Sequence, residues 1–172
     1  MFFTLCLITA CGISIPEVDT TAPTFSFQIR GDGFSRTFTQ EDDFSRMQLN
    51  LKANTEYRFV YSGADQGGVD LIQWQLGGSD LIDFSRPEFP IDSWTISDIS
   101  ASNRMIEWRG VRTDPKTGAI LSGTFRTGNL QGDAATIRFF TRDFGGQSGT
   151  PNSIRGDLSI FIGDFETELI EF

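Results

Sequence analysis

A chain of 172 residues with no His lacks the commonest general base and the commonest neutral metal ligand. Its remaining chemistry lies in the thiols of Cys6 and Cys11, a large set of Asp and Glu carboxylates, and the indoles of Trp74, Trp94 and Trp108. There is no nucleophile elbow and no phosphate-cradling Gly motif ahead of a helix. Carboxylates spread over loops serve mostly for solvation, and acid–base work would need two of them facing one another in a pocket. The chain is therefore read as non-catalytic, with an acidic-pair hydrolase as a distant alternative. The tripeptide Arg-Gly-Asp occurs at Arg30–Asp32 and again at Arg155–Asp157. Gly between charged residues is ordinary turn chemistry, and both copies are read as turns rather than adhesion motifs.

Whatever these residues do, β-strands must position them. Thr-Phe-Ser-Phe-Gln-Ile-Arg sets Phe25, Phe27 and Ile29 on one face, and Met47, Leu49 and Leu51 repeat the period of two. Tyr57, Phe59 and Tyr61 form a third such face, and Ile72, Trp74 and Leu76 a fourth. Ile106 and Trp108 alternate less cleanly, and late strands run through ATIRFFTR and LSIFIG. Only PIDSWTISDIS and the FETELIEF end could tolerate a helical turn. The recurring Phe-Ser-Arg at Phe34, Phe44 and Phe84 is too unevenly spaced for a repeat, so each Phe is expected to anchor a loop. With 17 Phe, 18 Gly and Gly-rich turns between the segments, the pattern describes an all-β, antiparallel β-sandwich. Trp74 and Trp108 fall in phase with core positions. Trp94, in a Pro-rich and acidic setting, is the indole expected at the surface, where it could stack on a sugar.

Acidic residues outnumber basic ones 23 to 14, for a formal charge of −9, which argues against a nucleic-acid partner. Both cysteines lie in the first dozen residues, so no disulfide can staple the body of the fold. Residues 1–10 are uncharged and almost wholly apolar, about half the length of a bilayer-spanning helix. The run Ile8-Thr9-Ala10-Cys11 resembles the lipobox of bacterial lipoproteins. That resemblance implies cleavage before Cys11, a diacylglyceryl group on its thiol and, with Gly12 following, the outer membrane or cell surface. One departure is the lack of any Lys or Arg ahead of Cys11, and the alternative is an apolar first strand. The expected organisation is a signal peptide at 1–10, a lipid anchor and Pro-containing tether at 11–23, and a sandwich domain at 24–172.

Three segments add a second resemblance: DTTAPTF at 19–25, SGADQGGVDLIQWQL at 62–76, and ATIRFFTRDFGGQSGT at 135–150. They resemble the start, the B–C region and the F–G region of bacterial extracellular immunoglobulin-like domains. Extra material at 31–55, a lengthened middle around DFSRPEFPIDSW, and residues beyond Thr150 make the expected fold a decorated immunoglobulin-like sandwich. The resemblance implies that the start of the first strand, the B–C turn and the F–G turn share one end, provided that 31–55 adds an even number of reversals. Asp19, Asp65, Asp70 and Asp143 would then crowd together. Repelling carboxylates beside flexible glycines suit a hard cation, and Ca²⁺ is the candidate; the other reading has the four pointing separately into water. No other cofactor is expected. The functional expectation is a lipid-anchored envelope protein, binding or structural, accessory to a surface assembly. The alternative is a carbohydrate-binding surface lipoprotein using Trp94, and the protein or glycan partner is unspecified.

Overall fold

A computed structural model describes residues 13–78, 82–84, 94–100, 103–129 and 132–172. Within them run twelve strands: β1 Thr24–Gly31, β2 Phe34–Thr39, β3 Met47–Lys52, β4 Glu56–Ala64, β5 Val69–Gly77, β6 Ile82–Phe84, β7 Trp94–Ser100, β8 Asn103–Arg109, β9 Gly118–Thr127, β10 Asp133–Asp143, β11 Ser153–Gly163 and β12 Glu168–Glu171. They form a five-stranded sheet ordered β2-β1-β4-β9-β6 and a seven-stranded sheet ordered β12-β3-β11-β10-β5-β8-β7. The immunoglobulin-like core is recognisable: β1, β4, β9 and β6 take the A, B, E and D positions, and β5, β10 and β11 take C, F and G. The decorations are added outside this core, at the sides of the two sheets. β2 extends the first sheet, β7 and β8 lie outside C, and β3 and β12 lie outside G.

The alternation in the sequence decides which side chains meet between the sheets. Phe25, Phe27 and Ile29 of β1, Tyr57, Phe59 and Tyr61 of β4, and Ile72, Trp74 and Leu76 of β5 are all buried. The core is largely aromatic, with Phe27 and Phe139 centroids 4.9 Å apart and Phe59 stacked on Trp74 at 4.9 Å. Trp74, 1% exposed, joins the two sheets near their middle. Of the three Phe-Ser-Arg phenylalanines, Phe34 and Phe84 lie in strands β2 and β6, and Phe44 meets the loop-anchor expectation by packing against Phe25, Phe38 and Phe139 from the only 3-10 turn among the described residues, Phe44–Arg46.

The sandwich is antiparallel as expected apart from one pair, β3 with β11, which runs parallel after residues 40–46 carry the chain from one sheet to the other. Other expectations need correction. Of the segments that could tolerate a helical turn, the described residues Trp94–Ser100 are strand β7 and Glu168–Glu171 are strand β12, each completing an edge. Trp94 is buried at 6% exposure rather than displayed. Directly opposed residues of an antiparallel pair point to the same face. Trp94 opposes Trp108, and Ile96 opposes the core residue Ile106, so the register turns the Trp94 indole inward.

Candidate metal centre

The inserted segment at 31–55 contributes β2 and β3, two strands, which is the even number that brings the three turns to one end. Asp19 lies just before β1, Asp65 directly after β4, and Asp143 is the last residue of β10. One carboxylate oxygen from each lies within 4.8 Å of the others. Asp65 and Asp143 are buried and Asp19 is half-buried. Asp70 does not join them. The β5–β10 register slips where Arg142 faces Leu71 and Asp143 faces Val69, which leaves Asp70 as the extra residue of a bulge. A bulge re-aims its side chain. Here the Arg142 guanidinium takes it, Nε donating to Asp70 Oδ2 at 2.8 Å.

Main-chain donors fix each remaining carboxylate. Asp143 Oδ1 accepts from the amides of Gly145 and Asn152 at 2.8 and 2.7 Å, and its Oδ2 accepts from Asn152 Nδ2 at 2.7 Å. Asp65 Oδ1 accepts from the Gly67 amide at 2.7 Å, and Asp19 Oδ1 from the Thr21 amide at 2.9 Å. Asn152 also donates to the Asp19 carbonyl at 3.0 Å, making it the residue that ties the F–G loop to the incoming chain. Its position between a Pro and the start of β11 was its only signal in the sequence, and that marks a turn rather than a role.

The described part of the segment expected to be a tether, residues 13–23, carries no strand, yet it is fastened. The Gln147 amide donates to the carbonyls of Pro16 and Glu17 at 2.8 and 3.0 Å, the Ser148 amide donates to Glu17, and the Asp19 amide donates to Gly145. This closeness explains the glycines. A Cβ on Gly146, which has φ of +80°, would sit 2.7 Å from Val18 Cα, and a Cβ on Gly67 would collide with the Asp19 carboxylate. Asp19 and Asp65 form part of the wall of an open groove of about 750 Å³ that also touches Pro16, Val18 and Gly67. Burial pushes the Asp65 carboxyl up to about 6, and the charges of Asp19 and Asp143 add to that push against the Gly67 amide. An oxygen set of this kind and spacing fits Ca²⁺, whose oxygen ligands at about 2.3–2.6 Å put opposite ligands roughly 5 Å apart.

No protein-family model and no curated protein sequence matches the chain. Among solved structures, it resembles a cohesin module from a Clostridium perfringens family 33 glycoside hydrolase, at 7% identity and a TM-score of 0.40, over 68% of this chain and 96% of that one. It also resembles the sixth cohesin of Acetivibrio cellulolyticus scaffoldin B, solved with a mutant Cel5 dockerin, at 10% identity and a TM-score of 0.38, over 68% and 99%.

The other residues singled out by sequence have structural roles or lie elsewhere. Asp32 of the first Arg-Gly-Asp accepts from the Thr167 amide and hydroxyl at 3.2 and 3.0 Å, and its φ of +52° belongs to the β1–β2 turn. The second copy, Arg155–Asp157, lies inside β11 rather than in the expected turn, because it pairs with Arg138–Phe140 of β10, and its Asp157 takes Arg138 Nε at 2.7 Å and Arg155 Nε at 2.8 Å. Burial pushes this carboxyl up, but the two guanidinium bonds outweigh it and hold Asp157 below the ordinary range. Trp74 and Trp94 are buried, and Trp108 packs partly buried against the core. Cys11 lies outside the described residues.

Proposed function

We propose that the chain is a non-catalytic β-sandwich of the bacterial cell envelope, held at the outer membrane or cell surface by a lipid on Cys11. In this reading it is a binding or structural element accessory to a surface assembly, with Ca²⁺ bracing its anchored end. The carrying observation is that residues 13–23, which form no strand, are bonded to the F–G loop and bring Asp19 to Asp65 and Asp143. A cation there would join the anchored segment to both sheets, at the point where tension on the anchor enters the fold. Asp19, Asp65 and Asp143 would hold the ion. It would supply the positive charge that the cluster lacks.

The hydrolase alternative finds little support in the same geometry. Carboxylates flanking a glycosidic bond stand about 5–5.5 Å or 6.5–9.5 Å apart. Here the oxygens lie within 4.8 Å, and both Asp143 oxygens already accept hydrogen bonds. The sugar-binding alternative loses the exposed ring of Trp94 on which it rested.

Calorimetry and thermal melts of the full chain, with millimolar Ca²⁺ against chelator, test the brace. Ca²⁺ at about 100 times its Kd stabilises by about 2.7 kcal/mol, a rise in melting temperature of roughly 5–10 °C for a chain of this size. Identical melting points and no binding heat would remove the site. For the anchor, intact mass and detergent partitioning of wild type and Cys11→Ser from a diderm host should show the diacylglyceryl mass on wild type only. Unlipidated, water-soluble wild type would overturn that assignment.

A further inference from the structure

Among the described residues every Lys and Arg bonds a carboxylate or a main-chain carbonyl except three: Arg30, Arg58 and Arg126. All three are exposed and all three lie on the outer face of the five-stranded sheet, at the same end of it. Arg30 and Arg58 are directly opposed across β1 and β4. Opposed residues of this kind hold their Cβ atoms about 4.5–5.5 Å apart, and like charges so placed are destabilising. In a chain of formal charge −9, an unrelieved pair of cations is unexpected on grounds of folding alone.

The surroundings sharpen the point. Along the row, Ser35 opposes Arg30 on β2 and Thr124 opposes Arg58 on β9, so the line across four strands reads hydroxyl, guanidinium, guanidinium, hydroxyl. Glu56 is the only acid at an outward register position on β1, β2, β4 or β9, and it opposes Arg126. Arg126 also has Asp83 at its register position on β6, so it flanks the pair rather than belonging to it. Beside Arg58 a shallow depression of about 460 Å³ runs along Val60, Ser122 and Thr124. Two planar donor forks carried by directly opposed residues, with hydroxyl-bearing residues on either side in the row, suit a tetrahedral oxyanion, because each guanidinium can present two parallel N–H groups to it.

We propose that Arg30 and Arg58 form a binding site for a sulfate or phosphate group, free or as an ester on a saccharide, with Ser35 and Thr124 as flanking donors. The overall negative charge of the chain repels such ligands at long range, so binding rests on the local pair and weakens steeply with salt. The site stands apart from the acidic end and does not depend on the envelope reading.

The test measures binding of the full chain to dextran sulfate, unsulfated dextran, inorganic sulfate and inorganic phosphate at low ionic strength. Wild type is compared with the double variant Arg30→Gln/Arg58→Gln and with Arg109→Gln, which removes an exposed, Glu107-paired arginine from the other sheet. Loss of two charge-assisted contacts should weaken binding at least about tenfold in the double variant and leave Arg109→Gln unchanged. Melts of the variants check folding, and relieving the like-charge pair should leave the double variant at least as stable as wild type. Binding of inorganic sulfate or phosphate without dextran sulfate would assign the free ion, and binding of dextran sulfate but not dextran would assign the ester. No binding by wild type, equal binding to dextran, or equal losses in the double variant and Arg109→Gln would overturn the proposal.

Discussion

The two ends of the sandwich face the same mechanical problem and meet it with opposite electrostatics. At one end Asp32, in the β1–β2 turn of the five-stranded sheet, reaches Thr167 beyond β11 in the other sheet. The Lys52 ammonium stands 3.6 Å from Asp32, and the Tyr57 hydroxyl joins Thr167 at 2.5 Å. The Thr167 hydroxyl bond, aided by the Lys52 charge, holds the Asp32 carboxyl below its ordinary range. At the other end Asp65, in the turn that leads from β4 of one sheet to β5 of the other, has two further carboxylates close by, and its carboxyl is pushed the other way. One end carries its own counter-charge, whereas at the other Arg142 is taken by Asp70 and no Lys or Arg among the described residues bonds Asp19, Asp65 or Asp143. An added cation would therefore act at the second end, where residues 13–23 enter the fold.

The middle of the molecule supplies a yardstick that should be indifferent to either end. Trp74 is 1% exposed and stacked on Phe59 across the sheets. Trp74→Ala should cost about 3–5 kcal/mol, since truncating a buried large aromatic removes its transfer energy and leaves a cavity. Denaturant melts should show the same loss with Ca²⁺ and with chelator. A loss below about 1 kcal/mol would mean that the stitched ends, rather than the aromatic core, hold the sheets together.

How much of this was legible in the sequence follows from how local each feature is. Phe25, Tyr57 and Trp74 declare their faces by alternation alone, and the one-end convergence of Asp19, Asp65 and Asp143 follows from topology once the sandwich is granted. Asp70 was misplaced because a single-residue bulge, set by the pairing of β5 with β10, leaves no mark in the local pattern. Trp94 was misplaced for a related reason: its surroundings in sequence are polar, while its face is dictated by Trp108, its partner across the ladder. Thr167 was not singled out because its partner Asp32 lies more than a hundred residues away in sequence, and the tie from Asn152 to Asp19 spans a similar separation although its other partner, Asp143, is near.

Neutralising one carboxylate at each end should move stability in opposite directions. Asp65→Asn keeps an acceptor for the Gly67 amide and removes a charge that Asp19 and Asp143 repel, so in chelator at pH 7 its melting temperature should rise. Asp32→Asn removes a charge that its partners favour, so its melting temperature should fall. A carboxyl held below its ordinary pKa contributes stability above the ordinary carboxylate range and loses it as pH falls through the folded value. The deficit of Asp32→Asn should therefore be present at neutral pH and close in acid. Two shifts of the same sign would break the comparison, because the ends would then differ in shape and not in charge.

The smallest expected effect asks which contact at the self-neutralised end matters. Lys52 Nζ lies 2.9 Å from Glu166 and 3.6 Å from Asp32, so distance alone would favour Glu166 as the essential partner. Exposure argues the reverse: the Glu166 side chain is 82% exposed against 18% for Asp32. Water screens an exposed pair and leaves little net gain after the side chains are ordered, whereas Asp32 also accepts from an amide and a hydroxyl fixed by the fold. Glu166→Gln should accordingly melt within about 2 °C of wild type, a change of under roughly 0.5 kcal/mol, and added salt should not widen the gap. A loss as large as that of Asp32→Asn would show that the end is neutralised by a Lys52-centred network, with the Asp32–Thr167 contact a consequence of it.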